Sequence, residues 1–128
     1  ESLLANGRTM DWGIALSAVD VQPTGLTLVI AQSGGHPTGR LQYGSDYTLE
    51  VLQDGVWEQA PYAVEGDVGW TAEAYLVSME ASVEENVQWA FLYGSLPPGT
   101  YRIRKTFMDF RETGDYDTQT YWATFAIR

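Results

Sequence analysis

Cysteine is absent from this chain of 128 residues, and histidine occurs once. The first absence removes disulfide staples, thiol nucleophiles and thiolate metal sites together. It suits a cytosolic protein and equally an exported one. The second removes histidine-rich metal centres: His36 alone cannot build one, and nothing singles out a nucleophilic serine for it to serve. Basic residues are scarce too, with 7 Lys and Arg against 17 Asp and Glu, a formal net charge of −10. Such a surface repels nucleic acid and anionic lipid, and suits solubility, cations or basic partners. No apolar run approaches the ~18 residues of a membrane-crossing helix. No basic segment followed by an apolar one opens the chain. An export signal or lipid-anchor segment is expected to precede the abrupt start at ESLLANGRTM.

What the chain does have is glycine (13), proline (5) and 13% aromatics, within 45% hydrophobic and 19% charged residues. That balance points to a turn-rich β protein able to bury a core without staples. Residues 1–11 read as a flexible polar tail and 12–128 as one domain.

Period-two alternation marks the strands. Ile14, Leu16 and Ala18 share a face, then Leu26, Leu28 and Ile30 after the punctuation of Pro23 and Gly25. SGGHPTGRLQYG reads as a long loop. DYTLEVLQDGVWEQ is a hairpin, with Tyr47, Leu49 and Val51 on one face and Asp54-Gly55 as its two-residue turn. Pro61 puts the return strand at an edge. Between 64 and 82 the pattern is weak. Ser82 and Glu85 suggest a capping box for a helix over about 82–92. The alternation of Val87, Trp89, Phe91 and Tyr93, stopped by Gly94, favours a strand instead. After Leu96-Pro97-Pro98-Gly99 come Tyr101, Ile103, Lys105 and Phe107, again at period two. DFRETGDYDTQ reads as a polar loop. The last strand carries Tyr121, Ala123, Phe125 and Ile127 on one face, with Trp122 facing outwards.

The stretch SLPPGTYRIRK explains itself as a corner between two sheets. A tyrosine at the start of the incoming strand buries its ring beneath the corner, and its hydroxyl bonds a backbone group a few residues upstream, as in immunoglobulin-like domains. Ile103 then takes the place where that fold often has a core cysteine, and Trp89, Phe91 and Ile103 are expected in the core. Tyr43-Gly44, Asp54-Gly55-Val56-Trp57, the segment Trp89 to Arg102 and the aromatic strand Tyr121 to Ile127 resemble the immunoglobulin-like domains of predicted secreted proteins and lipoproteins of Gram-positive bacteria, over roughly residues 12–128. The resemblance implies an all-β, immunoglobulin-like antiparallel β-sandwich of about eight strands, located outside the cytoplasm. It implies no activity and carries over no catalytic residue.

The candidate chemistry is thin. Gly34 and Gly39 have phosphate-loop spacing, but Arg40 and Leu41 stand where Lys and Ser/Thr are required, and no helix follows. Asp109 to Thr120 echoes a calcium loop with Gly114 at its sixth position. Arg111 and Thr113 fill ligand positions and Thr120 replaces the bidentate glutamate. A looser calcium site from Asp109, Glu112, Asp115 or Asp117 is the minor reading, and a solvated acidic loop the ordinary one. Glu84 and Glu85 point to opposite faces of a strand and fail as an acid/base couple, and Glu73 with Glu80 has no cleft to recommend it. Arg102 and Arg104 share a strand face, suited to pairing with glutamates of a neighbouring strand. Trp57, Tyr62, Trp70 and Tyr75 are candidates for an aromatic platform, or for core and edge cover.

The expectation is a non-catalytic extracellular module of an exported bacterial protein, a spacer or protein-contact domain, monomeric, with an unknown protein or glycan partner. No catalytic residue, cofactor, metal site or nucleic-acid partner is expected. The alternative is a carbohydrate- or calcium-binding accessory module of a cell-surface protein. Two or more tryptophans exposed together on one face would favour the glycan.

Overall fold

The computed structural model describes residues 12–63 and 74–128. The tail expected over 1–11 and Trp70 lie outside the described residues. Among these residues, nine strands and one short helix follow in chain order: β1 (Ile14–Gln22), β2 (Gly25–Gln32), β3 (Arg40–Tyr43), β4 (Thr48–Gln53), β5 (Val56–Gln59), β6 (Tyr75–Leu76), β7 (Ala81–Gln88), α1 (Ala90–Tyr93), β8 (Gly99–Glu112) and β9 (Asp115–Ile127).

The strands form two antiparallel sheets. One has the order β1-β2-β7. The other is built on β8. Along one side of β8 runs β9, while the opposite side is shared end to end by β4 and β3. β5 extends the sheet beyond β4, and β6 extends it beyond β3. β1 packs beside β9 and closes that flank of the sandwich.

The core follows from alternation. Leu26, Leu28 and Ile30 of β2 are buried, and they pack with Leu41, Leu49, Ile103, Phe107 and Phe125 of the facing sheet. Burying a side chain of this kind contributes roughly 1.5–3 kcal/mol. The Asp54-Gly55 hairpin forms as expected, both residues having positive φ (52° and 79°), the conformation a two-residue turn between twisted strands demands. β5 is an edge strand, consistent with Pro61.

Tyr101 is buried and donates its hydroxyl proton to the Pro97 carbonyl at 2.7 Å, closing the corner. The same corner is tied to the β1–β2 turn. The Pro23 carbonyl accepts both the Leu96 N–H (2.9 Å) and the Trp89 indole N–H (2.8 Å).

Three expectations need correction. Strand β7 stops at Gln88, so neither a strand through Tyr93 nor a helix over 82–92 is present. The chain winds into a single helical turn at Ala90, which buries Trp89, Leu92 and Tyr93 at spacings of three and four and turns Phe91 out, 65% exposed. Arg40–Tyr43, read as part of a loop, is a strand because β8 is long enough to pair with it beyond β4. The acidic loop is a hairpin: β8 runs to Glu112 and β9 begins at Asp115.

Candidate functional site

Charged residues are rare inside sandwiches, and here two lie on the inner face of β8. Lys105 is completely buried and Asp109 nearly so. With Tyr101 they recur every fourth residue, and each polar tip reaches a different connection. Tyr101 holds the corner at Pro97. Asp109 accepts the N–H groups of Thr38 (2.8 Å) and Gly39 (2.6 Å) and the Thr38 hydroxyl (3.0 Å). A side chain on Gly39 would meet the Phe110 carbonyl at 2.3 Å, so this approach requires glycine. Arg111 flanks the site, 3.6 Å from the Asp109 carboxylate.

Lys105 lies opposite the break between β3 and β4. Its Nζ donates to the Gly44 carbonyl at 2.7 Å and lies 3.1 Å from Oε1 of Glu85 on β7, so it links the two sheets. It also sits 5.2 Å from the centroid of the Tyr43 ring. Glu85 faces inwards between Val83 and Val87, while Glu84 and Asn86 face solvent, as alternation requires. Burial raises the Glu85 carboxyl above the ordinary glutamate value. Lys105 opposes that rise and Asp46 adds to it.

Glu85 lines an open groove of about 520 Å³ between the edge of β7 and the β3–β4 break. Tyr43, Tyr47, Tyr75 and Phe91 supply its aromatic surface. Tyr43 and Tyr75 pack with ring centroids 5.4 Å apart. Burial, then Glu85 and Tyr62, push the Tyr47 phenol up to about 12. At the neighbouring pole Tyr93, whose phenol is also raised by burial, accepts the Leu49 N–H at 3.2 Å.

The backbone of β7 matters equally. Among the described residues, no strand pairs with its second edge. The Trp89 N–H goes to Thr24 across from β2. Alternation therefore turns the backbone groups of Ser82, Glu84, Asn86 and Gln88 towards that second edge.

The residues singled out from sequence scatter. Trp57 and Trp122 lie on the outer face of the β8 sheet and clamp the Arg102 guanidinium, at 4.4 and 4.9 Å from their centroids. Arg102 also pairs with Glu50 of β4, the cross-strand pairing expected of it, while Arg104 is exposed. Tyr62 stacks on Tyr93 at 5.0 Å, and Tyr75 lines the groove, so the proposed platform is divided among three places. Glu73 lies outside the described residues, and Glu80 accepts the Gly34 N–H. His36 is exposed on the glycine loop, which the buried Gln32 amide fastens by donating to Trp12 and Gly34 carbonyls. Arg111 takes Asp115 and Asp117, each at 2.9 Å, and Glu112 is exposed. No group of three or more His, Asp or Glu among the described residues is placed to hold a metal ion. Also among them, no helix is long and apolar enough to cross a membrane.

Sequence reasoning missed the Lys105–Glu85 pair, although its signal was available: a lysine in phase with Ile103 and Phe107, and a glutamate in phase with Val83 and Val87.

Comparison with protein-family models matches residues 11–125 to the bacterial Ig-like domain. The chain belongs to that family. Searches of the curated proteins and of the solved structures return no significant match. Membership of an immunoglobulin-like family agrees with the two-sheet sandwich, with the tyrosine at the corner before β8 and with Ile103 buried two residues later.

Proposed function

We propose that this domain is a non-catalytic contact module of an exported bacterial protein, and that it takes an extended segment of a partner protein along the second edge of β7. The observation that carries the reading is the row of outward-facing backbone groups from Ser82 to Gln88 beside an aromatic groove. A strand added there gains main-chain hydrogen bonds, and the groove receives alternate side chains.

Glycan recognition has less support. Trp12 and Trp89 are buried, and Trp57 and Trp122 turn ring faces to Arg102 rather than leaving them for a sugar. Amide NMR titration with a library of strand-forming peptides tests the reading. Shifts confined to Ser82–Gln88 and Tyr43–Tyr47 are expected. Shifts centred on Trp57 and Trp122 would transfer the contact to the outer face, and no shift with any peptide would leave a spacer.

A further inference from the structure

Resting on that reading of the β7 edge, we infer that the accepted segment carries a lysine or arginine whose side chain enters the groove opposite Glu85. Inward charges on edge strands are a known guard against indiscriminate pairing, and Glu85 fits that role. An apolar strand laid on β7 would drive the Glu85 carboxylate further from water with nothing new to neutralise it. Lys105 is already committed: it is wholly buried and shared between Glu85 and the Gly44 carbonyl. Oε1 of Glu85 is buried and lies 3.1 Å from the Lys105 ammonium, while the side chain keeps 19% of its surface exposed beside the groove. A cationic partner residue there supplies compensating charge, so the guard that rejects apolar strands becomes the element that selects a basic one.

Geometry and charge agree with this. A partner residue directly across from Glu85 has its side chain on the same face, within about 5 Å Cβ to Cβ. That face is the groove, where the exposed ring of Phe91 offers a surface to a cation. Glu85 and Asp46 give two carboxylates against the single ammonium of Lys105, and exposed Glu84 adds a third at the rim. The chain as a whole, at −10, favours approach of a basic segment.

The test uses three short peptides of alternating threonine and serine, identical except for a central Lys, Gln or Val. Binding to the intact domain is followed by fluorescence polarisation, with amide shifts locating the contact. The lysine peptide is expected to bind about tenfold more tightly than the other two, the sum of one cross-strand charge pair and one cation–π contact. That preference should shrink in Asp46→Asn/Glu84→Gln, which leaves the Glu85–Lys105 pair and the core untouched. Equal affinity for the three peptides at β7 would overturn the cation inference while the edge reading stood. The preference should be lost in Glu85→Gln, and a preference unchanged in that variant would also overturn it. Failure of all three peptides to bind at β7 would overturn both.

Discussion

Lys105 and Asp109 are two buried charges on one face of one strand, four residues apart, and they are solved in opposite ways. Asp109 is closed. Its two oxygens receive two backbone N–H groups and a hydroxyl from the β2–β3 connection, and Arg111 stands alongside. Nothing about it asks for a further partner. Lys105 is itself satisfied, but it hands its charge to Glu85, whose carboxylate borders an open groove at a sheet edge. The first arrangement organises a loop. The second organises a loop at Gly44 and also leaves a surface with chemical preference. Burial alone therefore does not separate structural from functional charges; what separates them is whether the partner's valences are filled from inside the fold.

The hardest way to break this comparison is Lys105→Met. It strands the Glu85 carboxylate against an apolar core and orphans the Gly44 carbonyl, at an expected cost of about 3–5 kcal/mol in urea unfolding. Lys105→Met/Glu85→Leu should recover most of that, because removing both charges removes the desolvation problem. If the double variant stays as unstable as the single one, the Gly44 bond and not the ion pair is what Lys105 contributes. Acid should also relieve the defect of the single variant. A carboxyl already raised by burial is raised further without Lys105, so the folded state keeps its proton above the unfolded value. Stability is then greatest below the ordinary glutamate range and is lost as pH rises through the folded value.

Asp109→Asn tests the closed site. An amide cannot accept from both sides, so one of the Thr38 and Gly39 N–H groups loses its acceptor. The expected loss is about 3 kcal/mol, with faster amide exchange confined to residues 33–39. The groove of the open site should be unaffected, and the lysine-peptide preference unchanged. Spread of the exchange to Ser82–Gln88 would mean that the two sites are coupled through β8.

Much of this fold was legible because alternation and turn chemistry agree with each other. Leu26 to Ile30, the Asp54-Gly55 turn and Tyr101 at the Pro-Pro-Gly corner could each be assigned from local chemistry. Legibility failed where two periods overlap. Trp89, Phe91 and Tyr93 alternate as a strand would, yet Trp89, Leu92 and Tyr93 also satisfy helical spacing. The tie is broken by a tertiary contact, the Trp89 indole on the Pro23 carbonyl. The acidic hairpin was obscured for another reason. Beyond the core both faces of β8 and β9 meet solvent, so Thr113 to Thr120 shows no apolar alternation. The ladder is held by backbone bonds and by Arg111 bridging Asp115 and Asp117. The groove was least legible, because it depends on Tyr43, Tyr75 and Glu85, brought together from three strands.

Tyr47 sharpens the open side of the comparison at high pH. Its phenol, raised to about 12, keeps its proton in the folded state after the unfolded chain has lost it near 10. Stability from this group is complete below pH 10 and is lost between pH 10 and about 12. The magnitude is roughly 2 kcal/mol, from two pK units reduced for the water that reaches the groove. In Tyr47→Phe that part of the decline should vanish. An unchanged pH profile would assign the loss to other tyrosines, and the groove wall would then be better solvated than its burial implies.

The smallest effect belongs to the third member of the series. Tyr101 has the same inward orientation as Lys105 and Asp109, but its bond to Pro97 is neutral and local, closed within four residues. Tyr101→Phe keeps the ring stacked on Phe125, 5.7 Å away, and removes only the hydroxyl. Pro97 itself is exposed, so water can replace the lost donor at its carbonyl. The expected loss is about 1 kcal/mol. An order of Lys105→Met, then Asp109→Asn, then Tyr101→Phe would support ranking the three sites by charge and by how completely the fold fills their valences. If Tyr101→Phe instead cost as much as Asp109→Asn, the corner would be a centre of stability in its own right. The link from Pro23 through Leu96 and Trp89 would then be the first place to look for the cause.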